Sequence, residues 1–280
     1  MRLAAHRYGK AQVRVLKVFR TREQHSIKEI TVTAMLDGDF ESSYTTADNS
    51  RVVPTDTIKN TINILAKDHL AEEIELFALA LGQHFLREYK QVATARIDID
   101  ERDWQRLDIE QQPHPHTFVA GGDAKAFTHV VCARESNTIE SGIRDLIILK
   151  STGSGFENYP KDKFTTLPET ADRVLATSLT GKWTFGKALS SYRDKNASIL
   201  AAMLKIFANN YSPSAQTTLF QMGSAALEAV REISKIELAL PNKHYLLVDP
   251  SRFGVENKNE VFTPTDEPHG QIEAIVTRDE

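Results

Sequence analysis

The sequence predicts an α+β protein in which the order strand–strand–helix–helix–strand–strand occurs twice. In some segments apolar residues alternate with polar ones, and in others they recur every three or four positions. Both patterns follow the same order in each half of the 280-residue chain. Antiparallel strands with helices gathered on one face are typical of α+β proteins and not of doubly wound α/β proteins.

The first half has two strand patterns, two helical patterns and two further strand patterns. In the second strand Ile30 and Val32 alternate with Thr31 and Thr33, which is the period of a strand with one buried face. The expected elements are strands at 8–21 and 27–36, helices from Thr55 and at 72–89, and strands at 92–101 and 118–133. Thr55 is a candidate N-cap, because its hydroxyl can accept a free N–H of the first turn.

The second half repeats this order after a seam near Asn137, so we expect one module at 1–136 and a second at 137–280. Its expected elements are strands at 143–150 and 173–185, helices at 189–208 and 213–232, and strands at 235–249 and 271–278. One module is too small to cover its helices and strand edges. We therefore expect pairing between the halves and between subunits.

Composition excludes several classes of protein. Hydrophobic residues make up 41% and charged residues 26%, which excludes wholesale disorder. The net charge of −4 argues against a partner that is nucleic acid or a membrane surface. The single Cys132 cannot form an intrachain disulfide. Without a signal peptide, a long apolar run or a C-terminal Ser-Lys-Leu signal, the expected location is the cytoplasm.

The familiar motifs for cofactors are missing from the sequence. It contains no dinucleotide-binding glycine pattern, no phosphate loop and no hydrolase elbow. His114 and His116 could bind a metal, but they lie in a proline-punctuated segment with no third ligand nearby in sequence. We therefore expect neither a metal nor a cofactor.

Asn242 and His244 form the most specific pair of candidate site residues. Residues at i and i+2 of a strand face the same way, so both can point into one polar pocket while Lys243 points away. The alternative is a surface turn with a solvated histidine.

Four other candidates each have an ordinary alternative. Thr55 and Asp56 can cap a helix or form an anion site at its N-terminus. Arg173 can hold a planar imide by two parallel hydrogen bonds or pair with a neighbouring carboxylate. Gln216 can bind a ligand or assist capping, and Lys10 can be a solvated surface lysine. Taken singly, these residues decide nothing.

Taken together, six ordered segments resemble the urate oxidase (uricase) family over nearly the whole chain. They are residues 8–10, 53–61, 149–156, 163–170 with 172–173, 212–216 and 240–244. The resemblance implies tandem ββααββ modules of the tunnelling fold (T-fold), an oligomeric β-barrel and a homotetramer with active sites between subunits. It also implies cofactor-free oxidation of urate by O2 and water to 5-hydroxyisourate and hydrogen peroxide.

The resemblance assigns roles to ten positions of this sequence. Lys10, Thr55 and His244 would form a proton relay, and Thr55 and Asn242 would hold O2. The substrate-binding residues would be Thr55, Asp56, Phe156, Leu167, Arg173, Ala215, Gln216 and Asn242. Among these, Arg173 and Gln216 would clamp the purine and Phe156 would stack on it. Thr55 and Asp56 would come from the neighbouring subunit, with Asp56 contributing mainly its backbone N–H.

One departure from the family's pattern follows Phe156, where Glu157-Asn158-Tyr159 replaces a more typical Gly-Phe. Three alternatives remain: a cyclohydrolase-like or pterin synthase-like enzyme of the same fold, a non-catalytic purine-binding protein, and a structural tetramer. The first would be expected to carry a metal-binding His or Cys cluster.

Overall fold

A computed structural model describes residues 1–279, and Glu280, the last residue of the predicted second module, lies outside the described residues. The chain separates into two compact units. The first unit comprises Met1–Ile143 and Trp183–Asn196, and the second comprises Arg144–Lys182 and Ala197–Glu280. This division differs from the predicted module boundary at residue 136. The two modules as separate domains stay a prediction.

The first unit combines a run of antiparallel strands with helices. Its elements are β1 (Tyr8–Arg20), β2 (His25–Gly38), α1 (Glu41–Thr45), α2 (Thr55–His69), α3 (Ile74–Glu88), β3 (Val92–Ile109) and β4 (Gln112–Ala133). Strands β1 to β4 pair in chain order, each antiparallel to the next. Helix α2 contacts β1, and α3 contacts β3 and β4.

The core of the first unit follows the predicted periodicities. In β2 the apolar residues of the alternating pattern are at most 1% exposed, and they are Ile30, Val32, Ala34 and Leu36. The helical faces predicted from apolar spacing are also buried, through Ile58 and Ile62 of α2 and through Phe77, Leu81 and Phe85 of α3. One apolar face on each of β2, α2 and α3 therefore contributes stabilising burial.

Strands β5 and β6 and helix α4 are divided between the units, and the elements continue in the predicted order apart from the additions named below. β5 spans Asn137–Lys150 and β6 spans Leu175–Phe185. The later elements are α4 (Arg193–Asn209), α5 (Ala215–Ala229), β7 (Ile233–Ala239), β8 (Asn242–Leu247), β9 (Phe262–Gly270) and β10 (Glu273–Thr277). In the second unit β7 pairs with β10, and β8 pairs with both β6 and β9.

The prediction of one strand over 235–249 is wrong. Leu240 and Pro241 separate β7 from β8, because proline has no N–H to donate to a strand ladder. The break lets β8 leave β7 and pair with β6 and β9 instead. Strand β9 and the short helix α1 are further elements that the sequence patterns did not predict.

The α+β class and the repeated ββααββ order are confirmed by the structure. Among residues 1–279, β1 pairs only with β2 and β10 only with β7, so each leaves an edge for further pairing. The oligomeric barrel stays a prediction. No helix in the described part of the chain is long and apolar enough to cross a membrane.

Candidate active site

A pocket of about 390 Å³ in the second unit brings together residues that are distant in sequence. Its lining includes Phe156 and Leu167 from the loop between β5 and β6, and Arg173 immediately before β6. Asn242 and His244 enter it from β8. All five are among the predicted site residues.

Arg173 brings a guanidinium to this pocket, whose lining also includes Asp172. Its guanidinium carbon lies 5.4 Å from the ring centroid of Phe156. Its Nε atom is buried and has no hydrogen-bond partner among residues 1–279. Burial lowers the pKa of the guanidinium, and the nearby Tyr211 acts in the opposite direction. Because an unpaired buried donor costs free energy, the geometry favours an acceptor ligand here over the predicted alternative of an ion pair.

Backbone hydrogen bonds across the loop place Phe156 and Arg173. The N–H of Phe156 donates to the carbonyl of Thr170 (2.7 Å), and the N–H of Thr170 donates back to Phe156 (3.2 Å). The N–H of Arg173 donates to the carbonyl of Ser154 (2.8 Å). These bonds join the two ends of the loop, so the backbone positions from which the aromatic ring and the guanidinium project are held together.

Gly155 allows a close approach next to Phe156. A Cβ atom at this position would lie 2.2 Å from the hydroxyl oxygen of Tyr211 and 2.9 Å from the carbonyl oxygen of Thr170. The same Tyr211 hydroxyl donates to the carbonyl of Ala171 at 2.9 Å. A glycine is therefore required for Tyr211 to hold the segment that leads into Arg173.

Asn242 and His244 lie on β8 as the strand prediction requires. Asn242 pairs with Thr177 of β6, and His244 pairs with Thr265 of β9. Both side chains are half-buried and border the pocket, which differs from a solvated surface turn. Lys243, expected to point away, also borders the pocket, and its ammonium donates to Asp266.

Ala215 and Gln216 begin α5 in the second unit. Ser214 is the N-cap and its hydroxyl accepts from the N–H of Thr217 at 3.1 Å, so Gln216 is not needed for capping. The Gln216 side chain is exposed. Ala215 is 5% exposed and, with Asn242, lines a second cavity of about 10 Å³.

The expectation that Thr55 caps α2 is wrong. Pro54 occupies the cap position without a side-chain capping bond, and Thr55 is the first helical residue. A residue inside the first turn cannot supply the cap, because the cap precedes the helical backbone. The exposed Thr55 hydroxyl has no capping role and can contact a ligand.

Asp56 and Lys10 lie within electrostatic range of each other in the first unit. The Asp56 carboxylate accepts from Lys59 and from the Asn60 amide at 3.0 Å. The hydrogen bond and charge of Lys59 hold the pKa of Asp56 below its usual value, and the charge of Lys10 acts in the same direction. Lys10 is therefore near the N-terminus of α2.

Tyr8 was not predicted as a site residue, yet it ties β1 to the segment before α2. Its hydroxyl accepts from the N–H of Val53 at 2.7 Å, two residues before Thr55. Next to it, a Cβ atom on Gly9 would lie 1.9 Å from the carbonyl oxygen of Ala34, so only glycine permits this strand pairing. In the sequence, the one indication that Tyr8 supports the site is its position next to Gly9 and Lys10.

His114 and His116 lie in β4 and not in the expected loop. Within residues 1–279, no group of three or more His, Cys, Asp or Glu side chains is arranged to hold a metal ion.

The predicted site residues are divided between the two units. Lys10, Thr55 and Asp56 belong to the first unit, and the others belong to the second. The second unit offers an aromatic face, an unpaired guanidinium, an amide and an imidazole around one cavity. This combination on an α+β fold is the chemistry expected of an enzyme or binding protein for a flat, polar, negatively charged ring system.

The known proteins that this chain resembles identify the family. The sequence profile of the uricase family matches residues 6–131 and 139–273. The uricase of Arthrobacter globiformis is 40% identical over 277 residues, covering 99% of this chain and 90% of that protein. The uricase of Cyberlindnera jadinii is 39% identical, covering 99% of this chain and 97% of that protein. The crystal structure of Arthrobacter globiformis uricase matches with a TM-score of 0.94 and 39% identity, covering 100% of this chain and 96% of that one. The chain belongs to the uricase family.

Proposed function

We propose that this protein is a urate oxidase, which converts urate, O2 and water to 5-hydroxyisourate and hydrogen peroxide in purine degradation. Two electrons and two protons pass from urate to O2 and form hydrogen peroxide. Water then adds to the oxidised purine, so that the atoms and electrons balance. The observation that carries the proposal is the unpaired guanidinium of Arg173 beside the ring of Phe156, in a chain of the uricase family.

Substrate recognition is assigned to the second unit. Arg173 and Gln216 each form two hydrogen bonds to the pyrimidine side of urate, because a guanidinium and an amide match its alternating donors and acceptors. Phe156 stacks on the purine face. Leu167 and Ala215 line the remaining walls. The buried Nε of Arg173 supports this assignment, since a bound anion would give it the acceptor it lacks.

Proton transfer is assigned to Lys10, Thr55 and His244. The Thr55 hydroxyl is free for this role because it does not cap α2. A nearby ammonium favours negative charge on the relay, and a chain of positioned groups can move protons between urate and oxygen. Thr55 and Asn242 hold O2, and later peroxide or water, above the ring. Positioning both reactants lowers the entropic cost of their encounter.

The active protein is a homotetramer, with Thr55 and Asp56 reaching the site of a neighbouring subunit. Their exposure on the first unit and the unpaired edges of β1 and β10 support this assembly. The Asp56 carboxylate is occupied by Lys59 and Asn60, which leaves its backbone N–H for the substrate. The tetramer works in the cytoplasm, without nucleic-acid or membrane partners.

The reaction proceeds without a metal or organic cofactor, because deprotonated urate is electron-rich and can itself reduce oxygen. The test is a urate assay in oxygenated buffer that contains a strong chelator. We expect the near-ultraviolet absorbance of urate to disappear while hydrogen peroxide forms. Full dependence on added metal or flavin would contradict the cofactor-free reaction, and urate that binds but stays unchanged would support a purine-binding protein instead.

A further inference from the structure

The loop between β5 and β6 contains two aromatic side chains to which the proposed reaction gives no role, Tyr159 and Phe164, and of these Tyr159 contacts the pocket residue Phe156. The ring of Tyr159 stacks on the ring of Phe156, with centroids 4.8 Å apart and planes inclined by 13°. This is the offset-stacked geometry that aromatic pairs prefer. Because a ring has two faces and Tyr159 covers one face of Phe156, a purine can stack on this ring only at the other face.

The hydroxyl of Tyr159 reaches a second wall of the same pocket. It donates a hydrogen bond to the backbone carbonyl of Leu167. The Leu167 residue is 55% exposed, so burial alone does not hold it against the pocket. One side chain therefore links the aromatic face and the aliphatic wall.

The segment around Tyr159 supports itself through its own contacts. The Lys161 ammonium lies 5.6 Å from the Tyr159 ring centroid and 3.2 Å from a carboxylate oxygen of Glu169. The same oxygen accepts from the N–H of Asn158 at 3.2 Å. Asn158 has a φ of 60°, a conformation that Asn tolerates better than most residues. Asn158 and Tyr159 thus stand where Gly-Phe is more typical, in a turn that the contacts of Glu169 and Lys161 stabilise.

We infer that Tyr159 is a positioning residue that fixes the ring plane of Phe156 and the carbonyl of Leu167 before the purine binds. A wall that is already ordered loses less conformational freedom on binding, so Tyr159 raises the affinity for a flat ring. It leaves the rate of electron and proton transfer nearly unchanged. The inference rests on the proposed function, because Phe156 must be the surface that receives the purine.

The first test examines the ligand-free protein. Phenylalanines are replaced by 4-fluorophenylalanine, and the Phe156 fluorine resonance is assigned with Phe156→Leu. We expect Tyr159→Leu to remove the ring-current shift of this resonance, while Tyr159→Phe keeps it. Phe164→Leu is the matched control, because Phe164 lies in the same loop, is 76% exposed and does not line the pocket. An unchanged Phe156 resonance in Tyr159→Leu would overturn the inference.

The second test measures binding and turnover in the same variants, with xanthine as a related purine lacking the third oxo group of urate. We expect Tyr159→Leu to raise the xanthine Kd and the urate KM about three- to ten-fold, which is the range of one aromatic pair. Turnover stays within about two-fold, and Tyr159→Phe recovers most of the affinity. An equal effect of Phe164→Leu, or a loss of kcat at unchanged Kd, would overturn the positioning role.

The two proposals fail in different ways. A wild-type protein that neither binds xanthine nor oxidises urate contradicts the proposed function and, with it, the role of Tyr159 in purine binding. A wild-type protein that oxidises urate, with Tyr159→Leu indistinguishable from it in Kd and KM, overturns the role of Tyr159 alone.

Discussion

The first and second units hold the predicted site residues in contrasting settings. In the second unit, contacts between distant segments build a cavity around Arg173, Phe156 and His244. In the first unit, Thr55 and Asp56 are exposed at the N-terminus of α2, with Lys10 in electrostatic range. Under the proposed function, the residues assigned to ring recognition lie within one unit, whereas those assigned to proton transfer include groups exposed on the other unit. Variants in the two units should therefore separate purine binding from proton transfer.

The largest expected effect is on turnover in Lys10→Met. Removal of a proton-relay group should lower kcat about 1,000-fold, within the range for general acid–base catalysis, while the xanthine Kd stays within about two-fold. Steady-state kinetics and a xanthine titration measure the two quantities. Lys67→Met, at an exposed position of α2, is the control and should change neither. Equal losses in kcat and affinity would move Lys10 to a binding role.

The next largest effect is on affinity in Arg173→Ala. Loss of charge-assisted hydrogen bonds should weaken xanthine binding about 10- to 100-fold. Arg173→Lys should recover only part, since lysine keeps the charge but lacks the planar fork. Arg252→Ala is the matched control, because Arg252 lies 4.9 Å from the ring centroid of Phe253 in an arginine–phenylalanine pair of the second unit that is exposed and outside the pocket. Unchanged xanthine affinity in Arg173→Ala would contradict the assignment of ring recognition to Arg173 in the second unit.

Mixing two impaired variants, assayed at urate concentrations well below the raised KM of Arg173→Ala, tests whether the two groups of residues meet across subunits. Thr55→Ala and Arg173→Ala chains, denatured and refolded together, should regain activity at about a quarter of the sites if partner exchange is random and symmetric. Each variant refolded alone is the control. Demonstrated hybrids without recovered activity would mean that one chain builds the whole site.

The smallest effect is expected for Asp56→Asn. Its carboxylate is already engaged by Lys59 and Asn60, and such pairs on a helix surface contribute little, so kcat/KM should change by less than about three-fold. Thr55→Ala, one residue earlier, should lose far more activity because it removes a relay hydroxyl. A large loss in Asp56→Asn would show that the carboxylate itself contacts the substrate.

Local patterns predicted most of the secondary structure. The alternation around Ile30 and Val32 and the helical spacing of Ile58 and Ile62 each reflect one buried face, which the sequence displays directly. The same reasoning gave wrong element boundaries at two prolines, whose backbone restrictions the apolar spacing does not report. Pro54 takes the cap position expected for Thr55, and Pro241 ends a strand that apolar spacing alone would continue.

The residues of the candidate site were also open to prediction, through the six segments that resemble the uricase family. The hydrogen bonds that hold the neighbouring segments in place could not be predicted from the sequence. Nothing local connects Tyr8 with Val53, or Tyr211 with Ala171. Each of these bonds joins residues about 40 positions or more apart, and sequence periodicity reports only on neighbours along the chain.

The sequence by itself determined the α+β class, the repeated order of elements and the residue types suited to a flat anionic ring. Only the tertiary structure decided that the Nε atom of Arg173 is buried without a hydrogen-bond partner among residues 1–279 and that Tyr159 stacks on Phe156. The physical reason is that secondary structure follows from local burial and backbone sterics, whereas the pocket follows from which distant segments pack together.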